Sequence, residues 1–221
     1  MRGTPGVSAD SVQAQLDVFF ADPTDTQHGE REVQSTLYLL RREAQDCLIG
    51  EVVAERGVVS PSRVPHRLFA SMMVLFAGID LLGKFLAGSD DRGEAIERRF
   101  TKLIQAYLLP SSAHATHEAG LIWRVRNAVM HAFGLYDDGR GQGRHISVSS
   151  GPWTSERTLP IVAAVEAGDA GVWLVAAPRL YLGFIDAVAA YEADVRKRPE
   201  LQQAFGAMYP RYGRVRVLSG R

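Results

Sequence analysis

The chain has 221 residues, of which 46% are apolar and 23% are charged, and these values are typical of a globular protein with one sizeable domain. Its 25 basic and 25 acidic residues cancel near neutral pH, so no global positive field attracts nucleic acid and RNA binding would need a local basic patch. Cys47 is the only cysteine, which excludes an intrachain disulfide and a cysteine-based zinc site and suits a reducing cytoplasm.

Residues 1–29 are predicted to form an N-terminal tail and a short helix. The first residues lack the apolar core of a signal peptide, so we expect a cytoplasmic protein. Ser11 is a suitable helix cap, and apolar residues at helical spacing follow it up to Ala21. Residues 23–29 then read as a loop.

Residues 30–136 are predicted to form a bundle of amphipathic helices. Apolar residues recur at helical spacing over 30–55, 66–86, 94–109 and 116–134. The 66–86 segment is apolar nearly all round, which predicts a central helix of the bundle. It also carries a carboxylate and an amine, so a buried position is favoured over a membrane span.

The helical spacing of apolar residues ends at about residue 136. Residues 137–177 are predicted to hold a flexible loop and a small antiparallel β-sheet, with short strands at 145–149, 158–165 and 172–176. Residues 178–221 are predicted to form C-terminal helices and a basic tail that pack on the bundle. The predicted fold class is therefore mainly α: four or five helices, with the sheet inserted before the C-terminal helix.

The helix at 116–134 carries a narrow polar stripe. At about 100° per residue, Arg124 and Asn127 fall within roughly 40° of His131 on the helical wheel. Apolar side chains flank this stripe on both sides. Polar groups are costly to desolvate without partners, so these three residues need one another, a second copy of the chain, or a ligand.

The spacing of these residues resembles the signature of the HEPN superfamily, in which four to six residues separate a His from a preceding Arg, and a polar residue often directly follows the Arg. Arg126 and Asn127 followed by His131 fit with four intervening residues, and Arg124 fits with six. The family pattern favours Arg126, whereas the helical wheel favours Arg124, because Arg126 lies about 140° round from His131. Both arginines are therefore candidates.

The sequence around the motif extends this resemblance. It covers roughly residues 30–135 and includes the Gly-Ile-Asp-Leu-Leu-Gly-Lys segment at 78–84 and the Phe-Gly-Leu-Tyr segment at 133–136. The chain is most similar to bacterial HEPN-like proteins of unknown function. The resemblance implies a HEPN-like bundle.

For function, the resemblance implies a metal-independent endoribonuclease of toxin or phage-defence type that needs no cofactor and leaves a cyclic phosphate. His131 would act as general base or acid, and Arg126 or Arg124 would stabilise charge on the phosphoryl oxygens. Asn127 would orient the imidazole or contact the scissile phosphate. Two subunits would join their motifs, so the expected partners are a second copy of the chain, RNA and an antitoxin-like protein, with no membrane.

Two other functions fit the same residues. One is a catalytically silent HEPN-like module that binds nucleotide or protein through the polar groove. The other is a purely structural homodimer, in which the stripe fixes helix register.

Asp80 and Lys84 share a helix face at i,i+4 spacing and are candidates for binding or positioning a substrate. Asp80 lies in a very apolar run, so it needs a partner, and we expect Arg124 or Arg126 to supply it. Asp80 would then either position the motif arginine or form a structural ion pair. His114 and His117 do not predict a metal site, because this spacing is common on surfaces and no further cluster of ligands accompanies it.

Overall fold

The computed structural model describes residues 9–49, 68–110, 112–132, 136–137, 144–149, 160–167 and 170–217. This part of the chain is mainly helical, as predicted. Its helices are α1 (Ala9–Phe19), α2 (Thr26–Gly29), α3 (Thr36–Ile49), α4 (Leu68–Ala87), α5 (Glu94–Leu103), α6 (Ala115–Ala132), α7 (Ala177–Val195) and α8 (Pro199–Tyr212). Its strands are β1 (Val33–Ser35), β2 (Tyr136–Asp137), β3 (Arg144–Ser149), β4 (Val162–Ala167), β5 (Ala170–Ala176) and β6 (Arg214–Arg216).

Helix α4 is the centre of the helical packing, as its uniform apolarity predicts. It contacts α3, α5, α6, α7 and α8. It is long and apolar enough to cross a membrane, but just over half of its most apolar stretch is buried within the fold. Gly78 allows α7 to approach closely, since a Cβ atom at this position would lie 2.5 Å from the ring of Phe184.

Helix α1 contributes aromatic side chains to the same core. The ring of Phe19 lies 4.4 Å from that of Phe85 in α4 and 5.3 Å from that of Phe205 in α8, measured between centroids. All three rings are fully buried. The short N-terminal helix is therefore part of the packed bundle.

Helix α5 ends in a π-helical turn at Ile104–Leu108. The N–H of Leu109 donates to the carbonyl of Ile104 at 2.8 Å, across five residues. Tyr107 in this turn reaches α7, where its hydroxyl donates to Asp194 Oδ2 at 3.1 Å. The helix predicted over 94–109 is therefore present, with its last turn widened where α5 meets α7.

The helix predicted over 30–55 starts later than expected, at Thr36. Residues Val33–Ser35 instead form β1, which pairs antiparallel with β6 at the far end of the chain. The buried His28 accepts a hydrogen bond from the Ser35 N–H through Nε2 at 3.1 Å. Helical periodicity is local and does not reveal a partner strand so distant in sequence. The predicted end of this helix, after residue 49, lies outside the described residues.

The sheet is mixed, so its predicted antiparallel arrangement is wrong for one pair of strands. The strand order is β2-β3-β5-β4, with β3 and β5 parallel and the other neighbours antiparallel. The reason is that β4 and β5 form a hairpin whose second strand, rather than its first, lies beside β3. Strand β5 then leads directly into α7, which places the sheet before the C-terminal helices as predicted.

Candidate functional site

The predicted ion pair of Asp80 is present, and its partner is Arg126. Helix α6 packs against α4 and α5, and at this contact both Nε and Nη2 of Arg126 donate to Asp80 Oδ2, with Nε at 3.2 Å. Arg126 is only 8% exposed. The charge of each residue is thus balanced by the other in the interior, where an unpaired charge would be costly.

Two further contacts hold the Arg126 guanidinium in place. Its Nη1 donates to Asn127 Oδ1 at 3.1 Å, and its central carbon lies 5.0 Å from the ring centroid of Trp123. Trp123 in turn contacts Phe100 of α5 at 5.3 Å. Because a cation is attracted to an aromatic face, the contact of Arg126 with Trp123 favours one position of the guanidinium between α4, α5 and α6.

Arg124 is directed to a different neighbour, the sheet. Its guanidinium carbon lies 5.6 Å from the ring centroid of Trp173 in β5. Arg144 in β3 lies 4.9 Å from the same centroid. Two guanidinium groups therefore meet at one indole, where α6 faces the sheet.

Arg144 was not among the residues that the sequence predicted. Its position depends on Gly171, since a Cβ atom there would lie 2.3 Å from Arg144 Nη1. A signal was nevertheless present, because alternate residues of a strand share a face and the buried Ile146 follows Arg144 at this spacing. The sequence pattern therefore predicts that Arg144 lies on the same face of the sheet as the buried Ile146.

Helix α6 also includes His131 in its last turn. This position lies about two turns beyond Arg124, so the backbone places both on one stripe of the helix. The side chain of His131 lies outside the described residues. Of the predicted site residues, the structure thus joins Asp80, Arg126 and Asn127 directly and places Arg124 on an adjacent side of α6.

The side chain of Lys84 contacts a different helix from the one that Asp80 contacts. Its Nζ lies 4.2 Å from the ring centroid of Tyr212 in α8. Burial lowers the pKa of Lys84, and the nearby charge of Arg99 lowers this pKa further. Lys84 is one turn beyond Asp80 along α4, and the ring that it contacts belongs to α8.

A groove of about 650 Å³ lies beside the first turns of α6. His114, His117 and Glu118 are among its lining residues, and Glu118 Oε1 accepts a hydrogen bond from the Ile161 N–H at 2.7 Å. Within the described ranges, no group of three or more His, Cys, Asp or Glu side chains is arranged to hold a metal ion.

Comparison with protein-family models gave no match for this chain, and neither did comparisons with curated proteins and with solved structures. Support for a function therefore comes from the residues of the chain itself. The most informative are Arg126 with its partners Asp80 and Asn127, and Arg124 with Arg144 at Trp173.

Proposed function

We propose that this chain is a HEPN-like ribonuclease-type protein of toxin or phage-defence type, in which α6 carries the groups that bind and cleave RNA. The observation that supports this most is the convergence of Arg124 and Arg144 on Trp173, at 5.6 and 4.9 Å. Two guanidinium groups in one place are suited to a phosphodiester, whose oxygens accept hydrogen bonds from their planar forks. They provide the local basic patch that a chain of zero net charge requires for RNA binding.

The two arginines of α6 have different roles in this proposal. Arg126 is a positioning residue, because it is buried and its donors contact Asp80 and Asn127. Arg124 is only partly buried and shares its helical stripe with position 131. Arg124 is therefore the phosphate-binding arginine, with Arg144 beside it.

The proposed reaction uses these residues as follows. His131 accepts the proton of a ribose 2′-hydroxyl, and the 2′-oxygen attacks the adjacent phosphorus. The 5′-oxygen of the next nucleotide leaves as a hydroxyl, taking its proton from water, and a cyclic phosphate remains on the first nucleotide. Arg124 and Arg144 stabilise the negative charge that develops on the phosphoryl oxygens.

A second function, a catalytically silent module or a structural homodimer, is favoured by a different observation. Arg126, the arginine in the family's position, has its hydrogen bonds to Asp80 and Asn127 within its own chain. In such a protein the polar stripe fixes how helices pair, and no RNA is cut.

An RNA cleavage assay separates the two functions. The purified protein is incubated with single-stranded and structured RNAs in EDTA, and products are examined for cyclic phosphate ends. We expect cleavage to persist in EDTA. His131→Ala should lower the rate roughly 10²- to 10⁴-fold, as expected for loss of a placed base, and Arg124→Met should also lower it strongly.

The control is Arg98→Met, which removes an exposed arginine of α5 and should leave cleavage unchanged. Circular dichroism would establish that each variant is folded. If the wild type cuts no RNA, or if His131→Ala cuts as fast as the wild type, the silent module replaces the ribonuclease as the best account.

A further inference from the structure

The groove beside the first turns of α6 adjoins the arginine pair that we propose for RNA binding. Its volume is about 650 Å³, within the range of ligand pockets, and its apolar walls include Leu121, Val162 and Trp173. Trp173 is also the residue at which Arg124 and Arg144 converge. The groove and the proposed phosphate site therefore share one side chain, so a single nucleotide can occupy both.

Glu118 places a carboxylate in this groove. Its Oε1 accepts a hydrogen bond from the Ile161 N–H at 2.7 Å, and this contact orients the carboxylate. Among the described residues, none donates to Oε2, and Glu118 is only partly buried. Because an ionised carboxylate has acceptor sites on both oxygens, Glu118 can still accept two parallel N–H donors from a ligand.

The carboxylate and the arginine pair carry opposite charges at a separation that suits one nucleotide. Arg124 lies six residues after Glu118 in α6, which is about 9 Å along the helix axis. The phosphate and the donor edge of the base in a purine nucleotide are separated by a similar distance. Since an anionic phosphate is attracted to the guanidinium groups and repelled by Glu118, the base rather than the phosphate enters the groove.

Guanine is the base whose donors match the carboxylate. Its Watson–Crick edge presents N1–H and the exocyclic N2 amine side by side. The same edge of adenine or cytosine has one amine beside an unprotonated nitrogen, and that of uracil has one N–H between two carbonyl groups. Proteins read unpaired bases of RNA by hydrogen bonds on this edge, and contacts to an ionised carboxylate are the stronger ones.

We propose that the groove binds an unpaired guanine of RNA, with Glu118 accepting its N1–H and N2 amine while Arg124 and Arg144 contact the phosphate of the same nucleotide. This inference rests on the proposed function and extends it to a substrate preference, namely cleavage beside unpaired guanines.

Fluorescence anisotropy of the full chain with uncleavable RNA tests the guanine site. The probes are 2′-O-methyl octamers of uridine with one central guanosine or one central inosine, which lacks only the exocyclic amine. At a fixed salt concentration, the inosine probe should bind about tenfold or more weakly, because a hydrogen bond to a charged group is lost.

Two matched variants test the role of Glu118. Glu118→Gln should lose the preference for guanosine, since the carboxamide keeps an acceptor for the Ile161 N–H but presents an N–H donor to the base. Glu97→Gln makes the same change at an exposed position of α5 and should keep the wild-type preference.

A second pair of variants tests the location. Ala164 lines the groove and pairs with Trp173 across β4 and β5, so the two residues share one face of the sheet. The adjacent Val165 is 41% exposed and faces the other side. Ala164→Trp should therefore abolish the preference for guanosine, whereas Val165→Trp should keep it.

The possible failures are distinguishable. Equal affinity for the two probes, or an undiminished preference in Glu118→Gln or Ala164→Trp, would overturn the guanine site and leave the proposed ribonuclease standing. Binding of neither probe would overturn both the guanine site and RNA binding at α6. If Glu118→Gln does not fold, the inosine comparison and the tryptophan pair still decide the outcome.

Discussion

At the scale of single residues, the buried pair of Asp80 and Arg126 is the clearest consequence of the chain's chemistry. Asp80 retains 17% and Arg126 10% of side-chain exposure, so both charges are largely removed from water. Asp80 Oδ1 is also buried and accepts no hydrogen bond from the described residues. The stability of this contact therefore depends on the Asp80 Oδ2 atom, to which Arg126 donates twice.

We predict that Asp80→Asn lowers the free energy of unfolding by about 3 kcal/mol, because it removes the buried carboxylate to which the Arg126 guanidinium donates twice. Urea denaturation followed by circular dichroism measures this change. Asp46→Asn is the matched control, since Asp46 is exposed on α3 and should change stability by no more than about 0.5 kcal/mol. Equal stability of Asp80→Asn and the wild type would contradict the structural importance of the pair.

At the scale of elements, β1 and α2 show how neighbours override local pattern. The short helix α2 begins after Asp25, whose side chain accepts the His28 N–H at 3.1 Å. His28 is 2% exposed, and its ring lies 4.6 Å from that of Tyr38. Its Nε2 must be unprotonated to accept the Ser35 N–H, so the connection between α2 and β1 depends on a neutral histidine.

A pH dependence follows from this neutral state. Burial lowers the pKa of His28, and the charge of Arg31 lowers this pKa further. The unfolded chain then binds a proton more readily than the folded one, so stability is present above about pH 6.5 and is lost as pH falls from there to the lowered pKa. The slope over that window is at most about 1.4 kcal/mol per pH unit.

We predict that His28→Gln reduces this acid-induced loss, since glutamine has no ionisable group and keeps an acceptor. Urea unfolding at a series of pH values between about 7.5 and 5 measures the slope. His114→Gln, which removes an exposed histidine, should retain the wild-type slope. An unchanged slope for His28→Gln would show that His28 does not carry the dependence.

At the scale of the whole molecule, α6 joins three parts of the fold. It contacts α4 and α5 on one side and β4 on another, while Arg124 and Asn127 remain partly exposed. A partly buried polar stripe on an otherwise apolar helix is suited to an isologous contact about a two-fold axis. Such a contact would also bring two copies of the proposed catalytic stripe together.

We predict that the protein is a homodimer in solution at micromolar concentration. Light scattering coupled to size-exclusion chromatography should give about twice the chain mass of 24.2 kDa. Arg124→Glu should shift the protein toward the monomer, because reversal of this charge disrupts the electrostatic complementarity of the contact surface. A wild-type mass equal to that of one chain would contradict the shared-site arrangement.

Features that depend on local pattern and on the cost of burial are predictable from the sequence alone. The nearly all-round apolarity of residues 66–86 indicated the central helix, and the helical period over residues 116–134 indicated α6. The position of Asp80 in an apolar run required a basic partner, and only the two arginines of α6 were expected to supply it. These inferences hold because helical periodicity and desolvation act within a few residues of chain.

Tertiary structure decided which partners meet. The rotation of α6 about its axis, at which Trp123 makes a tilted contact with Phe100, directs Arg126 to Asp80, 46 residues away in sequence. The same rotation directs Arg124 to Trp173. The pairing of β5 with β3 brings Arg144 to the indole of Trp173. The pairing of β1 with β6 moves the start of α3 to Thr36. Each outcome depends on packing between segments far apart in sequence, and the free energy of such packing is not encoded in any one window of the chain.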